Sequence, residues 1–64
     1  MPIKWFKKSA KQGYAIAQAN LGYMYEMGYG VEKSYSKAIE WYRKAAKQGN
    51  ETAKRNLKGL GEKE

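Results

Sequence analysis

The chain contains no cysteine and no histidine. Without cysteine no disulfide can staple it, and without either residue the usual zinc ligands are missing. The same absences remove the imidazole base and the thiolate nucleophile from its catalytic repertoire. Its acids are six glutamates: Glu26, Glu32, Glu40, Glu51, Glu62 and Glu64. They form no obvious facing pair, which argues against glycosidase-type carboxylate chemistry. The sequence therefore predicts no catalytic, cofactor-binding or metal-binding residues, and no enzyme. Long apolar runs are also missing, and none approaches the roughly 18 residues that span a membrane. The basic start, Met1 to Lys8, lacks the apolar segment of a secretory signal. Lack of cysteine fits a reducing compartment such as the cytoplasm.

What remains is short and basic. At 64 residues the chain can form one compact unit, and folds of this size bury only about 60% of their unfolded surface. Hydrophobic residues make up 42% and aromatics 14%, a globular composition in which stability must come from aromatic burial or from a second chain. The net charge of +7 favours acidic proteins, nucleic acids or anionic lipids as partners. Lys4, Lys8 and Lys11 line one side of a helix, and Lys44 and Lys47 repeat two of them. Such a stripe can track phosphates, which makes a nucleic-acid-binding module the alternative reading. No aromatic residue is clearly interleaved with these lysines for base stacking, so a solvated basic face is the leading reading.

The phrase WYRKAAKQG, Trp41 to Gly49, has a near copy in WFKKSAKQG, Trp5 to Gly13. The offset is 36 positions, and it also pairs Ile3 with Ile39, Ala17 with Ala53, Asn20 with Asn56 and Leu21 with Leu57. A fixed period between about 20 and 50 residues marks a solenoid or array. From Ser34 to Gly49, apolar residues fall at Ala38, Trp41, Tyr42, Ala45 and Ala46, the spacing of one helix face. Ser34 is the expected N-cap and Gly49 the expected left-handed stop. Pro2 is expected in the first turn of the earlier copy.

Tyr14 to Met27 predicts a helix of a second kind, with Ala17, Leu21 and Met24 on its packing stripe. Gly22 weakens a helix interior by about 1 kcal/mol against alanine, so a close neighbouring helix is expected there. Gly28-Tyr29-Gly30 follows a helix and lacks a third glycine, so it is read as a turn and not a phosphate loop. The second kind of helix begins again at Asn50. It is expected to fray near Leu60, because Gly59 and Gly61 stand where Tyr23 and Tyr25 stood, and to end in a charged tail, 62–64. Trp41 and Leu21 are the expected core residues.

Leu21-Gly22, Met24-Tyr25, Gly28, Gly30-Val31, Lys37-Ala38, Trp41-Tyr42, Lys44-Ala45-Ala46 and Gly49 together resemble the Sel-one-like repeat (SLR), a relative of the tetratricopeptide repeat. The resemblance covers nearly the whole chain. It implies an all-α, tetratricopeptide-like solenoid fragment of antiparallel helix pairs, about four helices, over 1–61: one unit flanked by two half-repeats. It implies non-catalytic protein–protein scaffolding as the function. Ser34 stands where the family often has aspartate, and caps equally well. Cysteine-rich members have been linked to penicillin binding, and this chain lacks their cysteines.

Two sets of interaction residues are expected. Ile16, Asn20, Tyr23 and Met27 form a stripe offset from the packing stripe. The resemblance implies that this helix lines a concave peptide groove, with Asn20 and its repeat mate Asn56 at the place where related modules bond a peptide backbone. Arg55 beside Asn56 suits a protein or peptide partner of acidic character. The second set concerns self-association: Trp5 and Phe6 at one end, and Ala53 and Leu57 at the other, are expected to lack covering helices and to join two chains as a homodimer. A truncated or engineered minimal repeat with no natural partner reads the same way.

Overall fold

The computed structural model describes residues 3–63, with side chains from Lys4 to Gly61. The expectation for Pro2 and the end of the tail at Glu64 lie outside these residues. Four helices follow one another: α1 (Ile3–Lys11), α2 (Ala15–Met27), α3 (Tyr35–Lys47) and α4 (Glu51–Lys63).

The duplicated AKQG closes two helices in the same way. Gly13 and Gly49 take φ of 94° and 91°, a left-handed conformation that glycine enters without a Cβ penalty. The Gly49 N–H donates to Ala46 O at 2.9 Å and the Asn50 N–H to Ala45 O at 3.1 Å. Gly13 and Tyr14 make the matching bonds to Ala10 O at 3.0 Å and Ser9 O at 3.4 Å. This pairing satisfies carbonyls that a helix end otherwise leaves free. The starts differ more. Ser34 Oγ accepts from the Lys37 N–H at 3.2 Å, as its sequence position predicts. Asn50 Oδ1 accepts from the Ala53 N–H at 2.8 Å. Tyr14, which opens α2, makes no side-chain cap bond.

The last helix corrects the expectation of a short, frayed end. α4 has 13 residues, as many as α2 and α3, and carries Glu62 and Lys63 as helix. Leu60, only 1% exposed, anchors its final turns to the core and offsets the glycines on either side. A Cβ built on Gly59 meets nothing within 4 Å. Gly59→Ala is therefore expected to raise stability by about 0.5–1 kcal/mol, read as a higher urea midpoint with unchanged slope.

α2 and α3 run antiparallel. Gln18 meets Gln48, Gly22 meets Tyr42 and Tyr25 meets Lys37, so one number rises as the other falls. α1 packs on α2, α3 packs on α4, and α2 also touches α4. Within α3 the buried line is Ala38, Tyr42 and Ala45, each fully covered. Leu21 lies in the core as expected, but Trp41 does not lie at its centre. It is half-buried at the edge, with the Lys44 ammonium 4.5 Å from its ring centre. The buried seam is centred one residue further round the helix, on Tyr42.

Gly22 has the expected close neighbour. A Cβ there would lie 2.7 Å from both Cδ1 and Cε1 of Tyr42. A second tie is polar. Gln18, 5% exposed, donates from Nε2 to Ala10 O at 3.1 Å and accepts from Gln48 Nε2 at 3.0 Å. One amide thus joins α1, α2 and the end of α3, and no apolar pattern signals it.

Candidate partner interface

The sequence places Trp5 and Phe6 at the exposed start of the fold, but the structure separates them. Phe6 is buried and Trp5 is 64% exposed, their rings edge to face at 5.6 Å. Phe6 is the repeat mate of Tyr42, so it turns inward as Tyr42 does and packs beneath α2. At the other end Ala53 is fully buried and Leu57 half-buried. Phe6 and Ala53 are thus covered by the chain itself, which corrects the expectation that they stand open. Of the four residues assigned to self-association, Trp5 is the one that is openly exposed.

Between α1 and α2 run two adjoining clefts that share Phe6 and Asn20. The first, about 260 Å³, is lined by Trp5, Phe6, Ser9, Tyr14, Ile16, Ala17 and Asn20. The second, about 560 Å³, is lined by Phe6, Asn20, Tyr23, Met24, Tyr29 and Gly30. Together they form a groove with Phe6 at its floor. Three of the four stripe residues, Ile16, Asn20 and Tyr23, meet in it. Met27 is exposed on the same stripe but lines neither cleft.

Tyr14 and Tyr29 belong to the groove and were not foreseen. They sit at the mouths of the connections, where no helical periodicity marks them. Tyr29 packs edge to face on Tyr23 at 5.8 Å. The available signal was an exposed aromatic in each connection.

The two asparagines part company. Asn56 is half-buried and donates from Nδ2 to the Tyr42 hydroxyl at 3.3 Å. That hydroxyl donates in turn to Glu26 Oε1 at 2.8 Å. In the earlier copy Phe6 replaces Tyr42 and has no hydroxyl, so Asn20 lacks this partner and lies exposed in the groove. Arg55 is exposed on α4, away from both clefts.

The Tyr42 phenol is pushed well above its ordinary range, first by burial and then by its bond to Glu26. Its folded pKa is thus raised, so the stabilisation is complete below the unfolded value near pH 10. The unfolded chain loses this proton first as pH rises, so stability falls from about pH 10 upward, by at most about 1.4 kcal/mol per pH unit. Urea midpoints at pH 9 and 11 for the native chain and Tyr42→Phe check this. The variant should start lower, by about 1 kcal/mol, and lose less over the interval.

A family model, the Sel1 repeat, matches residues 3–14 and 15–50. The chain belongs to the Sel1 repeat family. The first match covers α1 and the turn after it, and the second covers α2, α3 and the turn that ends α3. The Sel1 repeat is a helical, tetratricopeptide-like solenoid unit, in keeping with the four helices here. Sel1 repeats serve in general as protein–protein interaction modules and are typically non-catalytic. Protein partners follow for this chain in the same general sense. Comparison with the curated proteins found no match.

Proposed function

We propose that the chain holds a segment of a partner protein in the groove between α1 and α2. One observation carries this reading. The exposed large hydrophobic residues among those described are Trp5, Tyr14, Ile16, Tyr23, Met27 and Tyr29, and all belong to α1, α2 or their connections. A clustered apolar surface on a small soluble protein marks an interaction site more often than chance exposure. Asn20 adds an exposed amide to an otherwise apolar lining, the mixture that gives a binding groove its orientation.

A photo-crosslinker at position 16, compared with one at Arg43 on α3, tests the reading in extract from the native cell. Partner adducts are expected from position 16 alone, and Tyr23→Ala should diminish them without altering the melting temperature. Equal labelling from both positions would defeat it. Self-association is a second reading, favoured by the exposure of Trp5. It predicts a melting temperature that rises with chain concentration and that Trp5→Glu makes independent of it.

A further inference from the structure

We propose that the cleft between α1 and α3 binds a phosphate group, either free or as the ester of a small molecule or of a partner's side chain. This cleft, about 480 Å³, shares no lining residue with the groove and does not depend on the docking reading. Among the described residues, α1 and α3 both pack on α2 and not on each other. The gap between them is floored by the buried Tyr25 of α2. Its walls are Lys7 of α1, Lys37 of α3, and Glu32, Lys33 and Ser34 from the connection between α2 and α3. That connection is held in place. The Ser34 N–H donates to Tyr25 O at 2.9 Å, and a Cβ on Gly28 would lie 3.2 Å from Cβ of Lys33. Lys33 is thereby fixed beside the end of α2, in the same cleft as Lys7.

The ligand class follows from the charges. Ammonium groups reach the cleft from α1, α3 and the connection, and the lining holds one carboxylate, Glu32. Three positive charges against one negative leave a surplus of two. A phosphate group carries about −1.5 to −2 near neutral pH and offers three acceptor oxygens, so it matches both the surplus and the number of ammoniums. A carboxylate offers one charge and two oxygens. The ammoniums are also unclaimed, since the ion pair found among the described residues joins Lys54 to Glu51 on α4. Lys33 Nζ lies 5.0 Å from the ring centre of Tyr35, and Lys37 Nζ 5.5 Å from that of Tyr25. A ring face steadies an ammonium and leaves N–H donors for a ligand oxygen. Ser34 adds a hydroxyl, whose oxygen accepts from the Lys37 N–H and whose proton meets no acceptor among the described residues. By contrast Lys8, Lys11, Lys44 and Lys47 are exposed along their helices and line none of the three clefts described.

The test titrates the isotopically labelled chain with inorganic phosphate, with a phosphoserine peptide and, as control, with acetate. Ionic strength is held constant, and the amide signals of Lys33, Ser34 and Lys37 are followed by NMR. Phosphate and the phosphopeptide are expected to move these signals to saturation and to bind about tenfold or more tightly than acetate. Lys33→Gln with Lys37→Gln, both at exposed positions, should weaken phosphate about tenfold. Lys8→Gln with Lys47→Gln removes the same charge outside the cleft and should change it by less than about twofold. Glu32→Gln should tighten binding about threefold, a gain that loss of the fold cannot mimic. A phosphopeptide bound about tenfold more tightly than free phosphate would identify a partner's phosphorylated residue as the source, and equal affinity a small phosphate compound. Signals that stay still, that move alike with acetate, or that weaken equally in both double variants would reveal only the general attraction of a basic chain for anions and overturn the proposal.

Discussion

Replacing Tyr42 by alanine should lower stability by about 3–5 kcal/mol and leave much of the chain unfolded at room temperature. Three contributions vanish together. The ring is fully buried, and among the wholly covered side chains it is one of the largest, with Leu21 and Leu60. Its carbons fill the space beside Gly22, so truncation leaves a cavity against a glycine that has no side chain to close it. Its hydroxyl links Glu26 on α2 to Asn56 on α4, and alanine releases both. A chain this small has little stability in reserve, because it buries so small a share of its surface. Guanidinium titration followed by helical circular dichroism measures the loss. Trp41→Ala is the control: its ring is half-exposed, so it should lose clearly less. A larger loss for Trp41 than for Tyr42 would show that α3 presents a different face to the core.

The sequence made the fold readable because repetition supplies evidence that composition cannot. Nine residues written twice with the same glycine at the end indicated two helices of one kind, and both glycines adopt the left-handed turn. Gly22 was legible for the same reason: an unfavourable residue inside a strong helix points to a close neighbour. The error over Trp41 has a physical source. Apolar periodicity defines a face about 100° wide, and bulk alone does not say which of two adjacent aromatics lies at its centre. Tyrosine was the better candidate here because its hydroxyl could reach Glu26 and Asn56. Those partners are 16 and 14 residues away and leave no local trace.

The candidate groove was legible only in part. The stripe Ile16, Asn20 and Tyr23 follows from helical spacing, and these residues do line one surface. The opposite wall comes from α1, whose Trp5 and Phe6 the repeat already marked as interaction residues, and from the connections, where helical spacing carries no information. Strict transfer across the repeat misled at the asparagines. Asn20 and Asn56 are equivalent in sequence, but the residues facing them, Phe6 and Tyr42, differ by one hydroxyl. That hydroxyl gives Asn56 a bond that Asn20 lacks, and α2 packs against the helix that carries Asn56, whereas no described helix stands in that place beside Asn20. A repeat thus conveys backbone geometry from copy to copy, and single substitutions decide which side chains remain available to a partner.

Gly22→Ala is expected to destabilise the native chain by about 1–2 kcal/mol, although alanine is the better helix former. Two effects oppose each other. Alanine in the middle of α2 gains about 1 kcal/mol of helix propensity over glycine. Its methyl carbon, however, would sit 2.7 Å from two ring carbons of Tyr42, closer than real Cβ contacts come. The ring cannot swing aside, because it is fully buried and its hydroxyl is held at 2.8 Å from Glu26. The helices must part instead, and overpacking of this kind costs about 1–3 kcal/mol. The sign should reverse when the ring is gone. In a Tyr42→Leu background, itself less stable, Gly22→Ala should be neutral or stabilising by up to about 1 kcal/mol. The two substitutions should therefore be strongly non-additive, with a coupling of about 2 kcal/mol in a double-mutant cycle. Denaturation midpoints of the four chains provide the cycle. Additive losses would mean that Gly22 is needed for something other than the approach of Tyr42, and that α2 and α3 do not meet ring against backbone.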